Sequence, residues 1–91
     1  MSDLSNALRE SNRRSIEFLL TDLDTALTFM DVAKTSSIEE TVRRNHQNAL
    51  EAYKTVLRFL ERLKPDAAQQ GAIEEKLALL KSRLEAVGFR V

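Results

Sequence analysis

The sequence predicts an all-α protein, an up-down-up antiparallel three-helix bundle, and three observations predict it. Apolar residues recur at steps of three and four over three long stretches, so each stretch has one face to bury as a helix. Only two Gly and one Pro punctuate the 91 residues, too few for a chain of many short strands. The breaks in the apolar repeat, around Thr35 to Ser37 and around Lys64 to Asp66, are short, and helices joined by short connections lie antiparallel.

Met1 to Asn12 carries Leu4, Ala7 and Leu8 among polar residues, so this amino-terminal segment is either a frayed end or an extension of the first helix. The three-helix domain proper spans 13–91. From Arg13 onward Ile16, Leu19, Leu20, Leu23, Ala26, Leu27, Met30 and Ala33 form the core row of the first helix. Lys34 closes it with a cation, which suits the negative end of the helix dipole.

Ser36 and Ser37 each stand three residues before an acid, Glu39 and Glu40. These two overlapping capping boxes make one of the serines the expected N-cap of the second helix. That helix is expected over Ile38 to Leu63 and carries two seams, the first Ile38, Val42, Ala49, Ala52, Val56, Phe59 and Leu63, the second Leu50, Tyr53, Leu57 and Leu60. A helix with two apolar seams needs two neighbours, which places the second helix at the centre. Arg43, Arg44, Lys54, Arg58 and Arg62 gather on its other side, where burial would be too costly.

Pro65 cannot continue the helical ladder and restricts Lys64 before it, which ends the second helix. Asp66 with Gln69 forms the capping box of the third, whose seam is Ile73, Leu77, Leu80, Leu84 and Val87. Gly88 is placed to adopt the left-handed conformation, with Phe89 folded back onto Leu84 in a Schellman stop.

The residue inventory narrows the chemistry. Fourteen basic and fourteen acidic side chains cancel, which argues against nucleic acid as a partner. There is no Cys, so disulfides, thiolate metal sites and thiol nucleophiles are excluded. No apolar run approaches the roughly 18 residues of a membrane span, and the first ten residues lack a charged start followed by an apolar core. A cytoplasmic protein with no membrane partner is expected.

His46 is the single histidine, and on its own helix it has no carboxylate or second ligand nearby, so it reads as a structural or boundary residue. Glu17, Asp24 and Asp31 recur every seven residues, about 10 Å apart, too far to share one ion; they read as a solvated acidic face. Arg13, Arg14, Arg43 and Arg44 have acids beside them and no interleaved aromatic to stack on bases. Asn45 interrupts the first seam of the second helix and reads as a register device. No catalytic residue, cofactor or metal is expected, the alternative being a small helical enzyme with its site at a dimer interface, where Arg and Lys would hold an anionic substrate.

The run Asn48, Ala49, Leu50, Glu51, Ala52, Tyr53, Lys54, Thr55, Val56, Leu57 is loosely similar to the middle helix of MIT and tetratricopeptide-like domains. Ala72, Ile73, Lys76, Leu77, Leu80, Arg83 and Leu84 resemble an MIT third helix in spacing. The resemblance implies a groove that receives a partner's helix or extended peptide.

One feature does not fit within a single bundle. Phe18, Thr25, Phe29 and Val32 form a strip nearly opposite the core row of the first helix, and two Phe there require a cover. The cover is the amino-terminal segment folded back, the flank of a neighbouring helix, a second copy of the chain, or another protein. The sequence therefore points to a protein-interaction or scaffold domain, expected as a homodimer or bound to another protein, with this strip as the interaction surface.

Overall fold

A computed structural model describes residues 2–91, which form α1 (Ser2–Thr35), α2 (Glu39–Leu60) and α3 (Ala67–Ala86), with no strand among the described residues. The all-α expectation and the three packed helices hold. The amino-terminal segment is continuous with α1 from Ser2, while Met1 lies outside the described residues. At about 1.5 Å per residue, the 34 residues of α1 account for most of the long dimension of a molecule measuring 56 × 18 × 18 Å.

The core lies where the three apolar stripes meet. Ile16, Leu23 and Ala26 from α1, Ala49 and Val56 from α2, and Ile73, Leu80 and Leu84 from α3 are sealed from solvent, with Tyr53 and Leu50 beside them. Helix α1 packs against both neighbours, most extensively against α2, and α2 and α3 touch each other least. The two seams of α2 thus do not single it out as the central helix. Of their members Ile38, Leu57 and Phe59 are exposed, and so is Val87 in the expected seam of α3. The periodicity locates each buried face correctly and overstates its width.

The connections show why. Ser36 donates its backbone N–H to the Ala33 carbonyl, continuing the turn that ends α1, and its Oγ accepts from the Ile38 N–H at 3.2 Å. Helix α2 therefore starts one to two residues later than the serines require. Ile38 is its N-cap without a side-chain cap bond, and neither expected capping box forms. At the other end α2 stops at Leu60, and Arg62 and Leu63 donate to the carbonyls of Phe59 and Leu60 in a tighter turn. Leu63 still packs on the core.

Asn12 holds this turn from outside. Its Nδ2 donates to the Lys64 carbonyl and its Oδ1 accepts from the Lys64 N–H, both at 3.1 Å. Pro65 has no N–H to offer, so this side-chain pairing replaces part of the lost ladder. The Asp66–Gln69 capping box is present in both directions, at 2.7 and 2.9 Å. At the end of α3, Gly88 has φ 102°, Phe89 donates to the Leu84 carbonyl and Gly88 to the Glu85 carbonyl, which is the Schellman pattern expected. Asn45 is half-buried and donates to the Thr41 carbonyl of its own helix at 2.8 Å. Among the described residues no helix is long and apolar enough to cross a membrane.

Candidate functional site

The packing of the core divides the strip on α1. Phe18 is 66% exposed and Val32 43%, with Thr25 also exposed, whereas Phe29 is half-buried and packs against the core. A neighbouring flank therefore reaches Phe29 and leaves the other three in solvent. The amino-terminal segment provides no cover, because it is part of the same helix and cannot fold back upon it.

Beside Phe18 a hollow of about 540 Å³ opens between α1 and α2. Phe18 and Leu19 on one side and Phe59 and Leu63 on the other give it apolar walls, with Arg14, Arg62 and Asp22 at its margins. Phe59 is 46% exposed although its spacing assigned it to a core seam. Its position at the edge of the α2 stripe, next to Thr55, was the available signal that it borders the core. Burial in this hollow raises the Asp22 carboxyl above its ordinary value. A carboxylate half withdrawn from water is a poorly solvated charge that an added neighbour would desolvate further.

Ion pairs elsewhere lie on α1 and between α1 and α3. Glu10 takes two bonds from Arg13, at 2.7 and 2.9 Å, with Arg14 at 3.4 Å. The Arg13 bond and charge hold the Glu10 carboxyl below its usual value, and the same contact raises Arg13. Asp24 pairs with Lys76, and Asp31 with Arg83 at 2.7 Å. The acidic row on α1 thus meets bases on α3 as well as solvent, a pairing that reading α1 alone missed. The signal was a seven-residue spacing shared by both partners, Asp24 to Asp31 and Lys76 to Arg83.

His46 is half-buried and meets the Phe89 ring edge-on, with centroids 6.3 Å apart. It separates two hollows, one of about 690 Å³ bordered by Glu39, Glu40 and Arg43, the other of about 400 Å³ bordered by Met30, Lys34 and Arg83. Its aromatic neighbour comes from the tail after α3, which the α2 sequence did not disclose. Among the described residues no group of three or more His, Asp or Glu is placed to hold a metal ion. No family model, curated protein or solved structure matches the chain. The chemistry of the surface is then the guide, and its most distinctive part is the pair of exposed rings, Phe18 and Phe59, facing one apolar hollow.

Proposed function

We propose that this chain is a cytoplasmic protein-interaction module without catalytic activity, a bundle whose helices run up, down and up, which self-associates through the α1 strip carrying Phe18, Thr25, Phe29 and Val32. The direction of the helices is supported by two contacts between α1 and α3 at one offset of 52 residues, Asp24 with Lys76 and Asp31 with Arg83. Constant offset is what two helices running the same way produce. The observation that carries the interaction reading is Phe18, two-thirds exposed beside an apolar hollow on a protein with no net charge to keep copies apart. The likeness of α2 and α3 to MIT and tetratricopeptide-like hairpins favours the same class of role.

Light scattering on the full chain tests it. The wild type is expected at twice the mass of one chain, and Phe18→Glu at the mass of one, with circular dichroism unchanged because Phe18 lies outside the core. A wild type of single-chain mass at all concentrations overturns self-association. The enzyme alternative draws on Arg14 and Arg62 bordering the same hollow, where a second copy would enclose them. A rise in thermal midpoint with a simple dicarboxylate, lost in Arg14→Ala, would favour it.

A further inference from the structure

We propose that two copies pair by exchanging amino-terminal arms, Leu4 and Leu8 of each protomer lying in the Phe18–Phe59 hollow of the other. This rests on the self-association reading and narrows it to the lower part of the α1 strip. Asn12, bonded to Lys64, marks the level at which the α2–α3 turn meets α1, so the helical residues before it extend past the bundle. Residues 3–9 are all exposed, Leu4 at 70% and Leu8 at 65%. A helical extension of about ten residues that buries nothing is marginal in water, and two leucines on one face of it call for a partner.

Arm and hollow share an orientation. Leu4, Leu8, Ser11, Ser15 and Phe18 follow one another at steps of four, three, four and three along α1, so they lie on one face. A two-fold axis across that face near Ser11 sets Leu4 opposite the partner's Phe18 and brings Leu8, which leans to the α2 side, toward the partner's Leu63 and Phe59. The same operation fills both hollows with both arms, which closes the assembly at two copies. Ala7, Ser11 and Ser15 are small, which lets the two α1 helices approach at the crossing. Charge does not oppose the pairing: with Glu10 held by Arg13 and Arg14 of its own chain, Asp3 and Arg9 balance on the arm and Arg62 and Asp22 balance at the hollow.

The absence of native Cys makes the test direct. In the full-length chain, Ser11→Cys should cross-link to its own symmetry mate under mild oxidation, while Ser82→Cys, exposed on α3, should not. Leu4→Glu with Leu8→Glu should halve the mass measured by light scattering with bundle helicity retained, and Val32→Glu should leave the mass unchanged. A dimer that survives the double arm variant, fails to cross-link at residue 11 and is broken by Val32→Glu overturns arm exchange while self-association through the strip stands. A wild type of single-chain mass overturns both.

Discussion

Gly71 and Gly88 separate the effect of backbone conformation from that of space, because a Cβ added at either meets nothing within 4 Å. Gly71 lies inside α3, and Gly88 is the glycine with positive φ, at 102°. Gly71→Ala should therefore raise stability by about 0.5 to 1 kcal/mol through helix propensity, and Gly88→Ala should lower it by about 1 to 2 kcal/mol through left-handed strain. Urea denaturation of both variants checks the opposite signs. Asp22 offers a second test at this scale. Its folded pKa is raised by burial, so the folded chain holds the proton more tightly than the unfolded one. The charged form then costs stability at neutral pH, and that cost disappears as pH falls through the folded value. Asp22→Asn should be more stable than wild type at pH 7, the advantage shrinking as the medium turns acidic; an advantage that grew on acidification would refute the sign. The stop at Gly88 and the cap at Asp66 were legible in sequence because their partners are within a few residues. The bond from Asn12 to Lys64 was not, since no local pattern joins residues so far apart.

Elements were legible in number and buried face, less so in their limits. Periodicity identified the α2 stripe, yet a wheel cannot distinguish a residue at the stripe's centre from one at its edge, which is why Leu57 and Phe59 were counted with Val56. Val56 is fully buried, Leu57 is 41% exposed and Arg58 is on the solvated side. Alanine should cost about 2 kcal/mol at Val56 and about 1 at Leu57, and less than about 0.5 at Arg58. Chemical denaturation that ranked Leu57 above Val56 would contradict the packing of α2. In α3, Leu80 and Leu84 are sealed, and Leu→Ala at either should cost about 2 to 5 kcal/mol. The start of α2 was misplaced for a related reason: two serine and acid pairs in tandem give a capping signal with two registers, the end of α1 engages Ser36, and Ile38 takes the N-cap position instead of either serine.

At the scale of the whole molecule the asymmetry of α1 dominates. Its longer part, from Asn12 on, is packed by α2 and α3, while the first ten residues, Ser2 to Ser11, extend past the α2–α3 turn, although the same backbone ladder runs through both. Helix content alone hides this difference, and the sequence hid it too, since Leu4, Ala7 and Leu8 suit a frayed end as well as an extended helix. Amide hydrogen exchange exposes it, because protection depends on what must open. Amides around Leu23, Val56 and Leu80 should exchange only with global unfolding, at every protein concentration. Those of residues 3–9 should exchange quickly in dilute solution, where the arm opens without disturbing the core. If arms are exchanged between copies, raising the concentration populates a state in which the arm opens only after the dimer parts, and its exchange should slow while the thermal midpoint climbs. Protection of the arm that equalled the core and ignored concentration would mean that the arm is held within one chain, and the paired assembly would have to be abandoned.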